Sequence, residues 1–239
     1  QGDWSSDVCS SDLDVGINAK YVPFCCDTKS YERKHRDIQI PYIADKFKFY
    51  AILSPHDKRA LESILSTFHS EFDTSDRAAL VILLTSPESK ESVDAISQAV
   101  KRSLKLNSDV SGYSREVVVS EPSLTQSNLY EMHQYGDCFL DINAGHPWSC
   151  ALMDAIGFGS NPITTDWGAP QDLEENVCSS IRSIFKCKKS ESKMTQELDL
   201  GKHFFLVPCE RQTKKTMRKN YNDWLKNPIS YTQRSKANG

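Results

Sequence analysis

Residues 136–165 read GDCFLDINAGHPWSCALMDAIGFGSNPITT, and this stretch decides the fold. Residues 138–142 form a short apolar run suited to a strand buried on both faces. Asn143, Ala144 and Gly145 break the run. From Trp148 to Phe158 apolar residues return at helical spacing, and Gly157 and Gly159 close that helix before Pro162, Ile163, Thr164 and Thr165. A strand, a glycine turn, a helix and a second strand make a parallel unit. Its turn and helix start aim backbone N–H groups at one point, a geometry that suits a phosphate or a sugar hydroxyl.

Working upstream, residues 47–53 (FKFYAIL) predict a strand closed by Ser54 and Pro55. Asp57 is placed to N-cap a helix that carries Leu61, Ile64, Leu65, Phe68 and Phe72 at helical spacing. Residues 79–84 (ALVILL) are the most hydrophobic run and predict a central strand. Residues 90–106 predict a helix with Val93, Ile96, Val100 and Leu104 on one face, 116–119 a third strand, and 124–135 a short helix. Residues 30–45 are polar, with Pro41 as a breaker, and read as a linker or loop. Downstream, 166–170 read as a loop, 177–184 as helical, 186–193 as a charged loop and 203–207 as a strand. Residues 214–225 predict an amphipathic helix with Met217, Tyr221, Trp224 and Leu225 on one face, ended by Pro228, with a partial helix running on toward Gly239. Strands alternating with helices predict an α/β, Rossmann-like fold: a parallel sheet of about six strands with helices on both faces. Ligands in such sheets sit at the carboxyl ends of the strands, where the strand order reverses. The loops at 54–59, 120–124 and 143–148 are expected there.

The chain has 239 residues, enough for one good-sized domain or two small ones, with 38% hydrophobic and 26% charged residues. A net charge of -3 gives no case for a nucleic-acid partner. No apolar run approaches the roughly 20 residues that span a bilayer, and the first 13 residues are acidic and serine-rich, unlike a signal peptide. The eight cysteines show no Cys-x-x-Cys pair. Cys138 falls in a predicted core strand and Cys150 in a predicted packed helix, which reads as buried thiols in a reducing, cytoplasmic compartment. Ser149 lies in no Gly-x-Ser-x-Gly elbow. There is neither a Gly-x-Gly-x-x-Gly turn nor a P-loop, which argues against a dinucleotide oxidoreductase or an NTPase. The lysine-rich stretches 186–193 and 214–219 read as solvated faces.

Two resemblances bear on the organisation. Residues 7–13 (DVCSSDL) resemble the conceptual translation of a sequencing-library adapter, so residues 1–13 are expected to be foreign and the biological sequence to start near Asp14. The second resemblance covers most of the chain. Val22, Pro23 and Phe24 with Asp27 resemble an Ile-Pro-x-Gly-Val-Asp lead-in, and Lys58, Arg59, Ala60 and Leu61 resemble Arg-Lys-Asn-Leu. Phe68 to Phe72 is similar to Ala-Phe-x-x-x-Phe, and Leu129 and Tyr130 before Gly136 and Asp137 are similar to Leu-x-x-x-Tyr-x-x-Ala-Asp. Gly145, His146, Pro147 and Trp148 fall where Gly-Glu-Gly-Trp is found, and Leu152 to Ala155 where Glu-Ala-Met-Ala is found. Asn161, Pro162 and Ile163 match Gly-x-Pro-Val, and residues 225–228 resemble a helix end before a crossover helix. In this order the motifs resemble the C-terminal, donor-binding half of GT-B retaining glycosyltransferases, the glycogen-synthase-like group.

The resemblance implies residues 14–46 as an interdomain segment and 47–239 as a donor-binding domain truncated at both ends. It implies transfer of a hexose from a nucleotide-activated sugar to an unknown glycan, lipid or protein acceptor, with retention of configuration, no cofactor beyond the donor and no metal. It assigns Lys58 and Arg59 to the donor diphosphate, Gly145 to close backbone approach, and His146 to the sugar. His146 and Asp154 stand where the group has two glutamates, with seven residues between them. Asp154 is then the ribose ligand, one methylene shorter than glutamate. Pro147 and Trp148 join the substrate wall, although Trp148 also suits packing of the helix on the sheet. Glu121 and Leu124 fall at the loop expected to meet the base. Replacement of both glutamates leaves open a domain that binds a nucleotide sugar without turnover.

Overall fold

The computed structural model describes residues 28–35, 38, 40–54, 58–86, 90–104, 113–120, 124–142, 149–168, 173, 177–189, 202–228 and 231. Six parallel strands form the main sheet: β1 (Phe47–Leu53), β2 (Ala78–Leu84), β3 (Arg115–Ser120), β4 (Cys138–Asp141), β5 (Ile163–Thr165) and β6 (Ser179–Ile181). Their order is β3-β2-β1-β4-β5-β6. The helices are α1 (Thr28–Tyr31), α2 (Lys58–Glu71), α3 (Lys90–Ser103), α4 (Gln126–Tyr135), α5 (Cys150–Gly157) and α6 (Glu210–Lys226). A separate antiparallel hairpin pairs β7 (Ser183–Lys189) with β8 (Lys202–Pro208).

Alternation along β1 divides the interior into two cores. Phe47, Phe49, Ala51 and Leu53 face one side, against Ile64, Leu65 and Phe68 of α2, Val93 and Val100 of α3, and Met217 and Tyr221 of α6. Tyr50 faces the other side with Val81, Leu83 and Phe139, against Met132 of α4 and Leu152, Ala155 and Ile156 of α5. Helices therefore cover both faces, as the alternation of elements predicts. The β2 strand is buried throughout, which explains its unbroken apolar sequence. At Gly136 a Cβ would come within 3 Å of three ring carbons of Tyr50, so only glycine lets the chain pass that ring.

The helix ends have local causes. Thr125 and Asn128 form a reciprocal capping box at α4, and the Ser149 hydroxyl accepts the Leu152 N–H at 3.1 Å to start α5. At the far end of α5, Gly159 has φ 79°; its N–H reaches Ile156 O and that of Ser160 reaches Ala155 O, both at 2.8 Å. This is a Schellman stop, and the left-handed residue it needs is the glycine.

Four sequence expectations are corrected. Residues 177–184 are not helical: 179–181 are β6, bonded in parallel to β5, and 183 opens β7. Residues 183–189 pair with β8, so the first part of the expected 186–193 loop is strand. In both places long-range pairing outweighs a weak local signal from serines and lysines. Cys150 is exposed as the first residue of α5, whereas Cys138 is buried in β4 as expected. The last helix also begins four residues before the expected Lys214, at Glu210. Pro228 and Tyr231 are helical, with the Tyr231 N–H donating to the Asn227 carbonyl at 3.0 Å, where the partial helix after Pro228 is expected; its continuation toward Gly239 lies outside the described residues.

Polar clusters tie the amino edge of the sheet. Lys48 Nζ lies 3.0 Å from the Asp137 carboxylate, which also accepts the Lys48 backbone N–H at 2.8 Å. Arg218 of α6 donates to Glu71 and to Asp76, each at 2.7 Å, with its guanidinium 4.3 Å above the Phe72 ring. Glu116 meets His69 Nε2 at 2.5 Å, Lys101 Nζ at 3.0 Å and the Ser97 hydroxyl at 3.1 Å. Burial opposes ionisation of Glu116, but His69 and Lys101 more than offset it and hold the carboxyl at about 2.

Candidate functional site

The strand order fixes where a ligand site falls. The chain runs outward through β1, β2 and β3, then returns to the other side of β1 for β4, β5 and β6. Here β1 and β4 pair directly, Phe49 opposite Cys138 and Tyr50 opposite Phe139. The loop after β1 feeds α2 on one face, and the loop after β4 feeds α5 on the opposite face. Between two such diverging loops an open α/β sheet leaves its crevice, just outside the carboxyl ends of the strands. The opening sequence motif thus lies on one side of the point where the order reverses.

Lys58 and Arg59 are the first two residues of α2, both exposed, at this carboxyl edge. Cations and the N–H groups of a helix start at one place favour an anion. On the other side of the reversal, α5 starts at Cys150 and carries Asp154 one turn further on. Leu124 sits two residues before α4, half-buried against the second core together with Val117 and Val119. Glu121, Gly145, His146, Pro147 and Trp148 lie outside the described residues, as do Asp57 and the expected lead-in 22–27.

Asp154 has a partner that local sequence reading missed. The Tyr31 hydroxyl, from 123 residues upstream, donates to Asp154 Oδ1 at 2.8 Å. Burial pushes the Asp154 carboxyl above its ordinary range, and the Tyr31 hydrogen bond draws it back. The Tyr31 ring rests edge-on against Phe158 at 4.9 Å and Tyr130 at 6.1 Å. It lies over Gly157, where a Cβ would come within 3 Å of three ring carbons. His133 stacks on the far partner, 5.9 Å from Phe158 with the planes 7° apart; burial lowers its pKa to about 3, so this imidazole is neutral. The signal in the sequence was an aromatic, Tyr31, at the head of a polar stretch. A second missed group is Asp141, the buried last residue of β4, opposite Thr164 of β5 in register.

Among the described residues no group of three or more His, Cys, Asp or Glu is placed to hold a metal ion. No helix among them is long and apolar enough to cross a membrane.

No family model matches the chain, and no curated protein matches it. Solved structures do. The chain is similar to WaaG, a glycosyltransferase involved in lipopolysaccharide biosynthesis, at 13% identity and TM-score 0.49, over 83% of this chain and 47% of that one. It is similar to the catalytic domain of starch synthase IV from Arabidopsis thaliana, bound to ADP and acarbose, at 11% identity and TM-score 0.42, over 82% of this chain and 35% of that one. It is also similar to the N-terminal domain of trehalose-6-phosphate phosphatase from Candida albicans, at 8% identity and TM-score 0.49, over 88% of this chain and 39% of that one. The chain spans under half the length of each.

Proposed function

We propose that this chain is the donor-binding half of a glycosyltransferase that moves a hexose from a nucleotide-activated sugar to an acceptor hydroxyl. The observation that carries the reading is the reversal of strand order between β1 and β4, with the cationic start of α2 on one side and α5 with Asp154 on the other. Two of the sequence motifs that resemble the GT-B donor half, Lys58 to Leu61 and Leu152 to Ala155, fall on α2 and α5.

In this reading the donor diphosphate lies against Lys58, Arg59 and the first N–H groups of α2. The bond from the sugar C1 to the diphosphate oxygen breaks with its electron pair going to the diphosphate, and the acceptor hydroxyl oxygen forms the new bond to C1 as its proton passes to the leaving diphosphate. Negative charge grows on the leaving group, so cations fixed at its phosphates stabilise the transition state more than the ground state. Arg59 suits a phosphate better than Lys58, because its planar fork matches two oxygens at once. Asp154 accepts ribose hydroxyls, while Gly145 and His146 approach the sugar. Retention of configuration is part of the reading and follows the sequence resemblance. A cytoplasmic setting is supported by the buried thiols of Cys138 and Cys178.

The test is calorimetric titration of the protein with ADP and with UDP, repeated with Arg59→Ala. Loss of one charge-assisted contact, about 1.5–3 kcal/mol, weakens binding about tenfold or more. Equal affinity in both proteins removes the phosphate role of Arg59. Release of nucleoside diphosphate from a nucleotide sugar, measured on the same protein, separates turnover from binding alone.

A further inference from the structure

We propose that Tyr31 is a positioning residue for donor binding: its hydroxyl holds the Asp154 carboxylate by Oδ1, leaving Oδ2 to accept a ribose hydroxyl. The inference rests on the nucleotide-sugar reading of the site and adds to it a residue from outside the sheet domain.

The geometry behind it is local and specific. An ionised carboxylate offers about four lone-pair positions, of which the tyrosine takes one. The bond it makes, at 2.8 Å, orients the whole carboxylate plane, because Oδ1 and Oδ2 turn together about one torsion. Asp154 is shorter than the glutamate of the resemblance, so the direction of its carboxylate decides what Oδ2 reaches. A second anchor supplies that direction.

Tyr31 is itself held. Its ring is seated over Gly157 and against Phe158 and Tyr130. The residues after it are tied to α4: the His35 backbone N–H donates to Gln134 Oε1 at 3.0 Å, and Gln134 Nε2 donates to the Arg33 carbonyl at 2.6 Å. The His35 ring donates from Nε2 to the Ser30 carbonyl at 3.0 Å and lies 5.1 Å from the Tyr130 ring. A side chain whose rotamer is fixed by packing can fix another, which is how binding groups are kept within reach of a ligand. Gly157 belongs to the same device, since any side chain there displaces the tyrosine ring. Tyr50 of β1 also feels the Asp154 charge.

A purely architectural role for the contact makes different predictions. Tyr31→Phe keeps the ring, and hence the docking on Gly157, Phe158 and Tyr130, while removing only the O–H. Gly157→Ala pushes the ring away and leaves both Tyr31 and Asp154 chemically intact. The experiment measures Kd for ADP, UDP and inorganic pyrophosphate in the wild type, Tyr31→Phe, Gly157→Ala and Arg59→Ala. The Asp154 carboxyl is titrated by carbon NMR in the first two proteins. Tyr31→Phe and Gly157→Ala are expected to weaken both nucleotides about fivefold and to leave pyrophosphate unchanged, whereas Arg59→Ala weakens all three ligands. The Asp154 pKa rises in Tyr31→Phe, because a donor to the charged form is gone. Nucleotide affinities equal to wild type in Tyr31→Phe, or an unmoved Asp154 pKa, overturn the positioning role while Arg59 keeps its own. A wild type that binds neither nucleotides nor pyrophosphate overturns the donor-site reading and this inference with it.

Discussion

Glu116→Gln tests whether the amino-edge cluster on β3 stabilises the fold by charge. The Glu116 side chain is 9% exposed and faces His69, fully buried, and Lys101. In the folded protein its carboxyl is held at about 2, against an ordinary 4.5. A depressed carboxylate contributes stability that is complete above its unfolded pKa and is lost as pH falls through the folded one. The window here runs from about pH 4.5 down to about pH 2. At 1.36 kcal/mol per unit the cluster contributes about 3 kcal/mol at pH 7. Glutamine keeps the shape and removes the charge. Urea denaturation of both proteins at pH 7 should therefore show Glu116→Gln less stable by about 3 kcal/mol, with the gap shrinking to about 1 kcal/mol at pH 3. Every other carboxylate is common to the two proteins, so the change in the gap isolates Glu116. A gap that is the same at both pH values, or below about 0.5 kcal/mol at pH 7, refutes the charge argument.

Arg218→Ala removes two ion pairs with Glu71 and Asp76 and the cation from the Phe72 ring. With side chains 31%, 22% and 17% exposed, solvent screening holds the expected loss to about 2 kcal/mol, read as a lower urea midpoint; an unchanged midpoint would show the contacts to be ornamental. Gly136→Ala forces a methyl into the Tyr50 ring, which is fully buried and whose hydroxyl is hydrogen-bonded to His133 Nδ1 at 2.9 Å. Overpacking of this kind costs about 1–3 kcal/mol, and a melting temperature at or above wild type contradicts it.

Legibility in the sequence followed the range of the interactions. The bounds of β1 were readable at 47 and 53, because apolar alternation and the break at Ser54 and Pro55 are written in adjacent residues. Helix α2 was equally plain from Leu61, Ile64, Leu65 and Phe68, all of which turn out to be buried. β6 was misread, because Ser179 and Ser180 carry no strand preference of their own and are extended only through pairing with β5. The same rule holds at the site. That Lys58 and Arg59 stand at the carboxyl edge followed from counting strands and helices, and the direct pairing of β1 with β4 adds why that edge is open there. The Tyr31 partner of Asp154 was invisible to periodicity, since a single hydrogen bond across 123 residues leaves no local pattern.

The two edges of the sheet divide the work. Lys48 with Asp137, Arg218 with Glu71 and Asp76, and Glu116 with His69 and Lys101 gather around the strand starts: Lys48 and Glu116 on the strands, Asp76 and Asp137 just before them, His69, Glu71 and Lys101 in the last turns of α2 and α3, and Arg218 on α6. Lys58, Arg59 and the start of α5 lie past the strand ends. A β-strand rises about 3.3 Å per residue, so the seven residues of β1 put roughly 20 Å between the two sets. At that distance exposed charges are screened from one another in physiological salt, whose Debye length is about 8 Å. Glu116→Gln and Arg218→Ala should thus lower stability while leaving the Kd for ADP and UDP within about twofold of wild type, whereas Arg59→Ala should do the reverse. A stability variant at the amino edge that also weakened nucleotide binding tenfold, under conditions where it is fully folded, would mean that the edges are coupled through the sheet. The crevice at β1 and β4 could then no longer be treated as a site built on an indifferent scaffold.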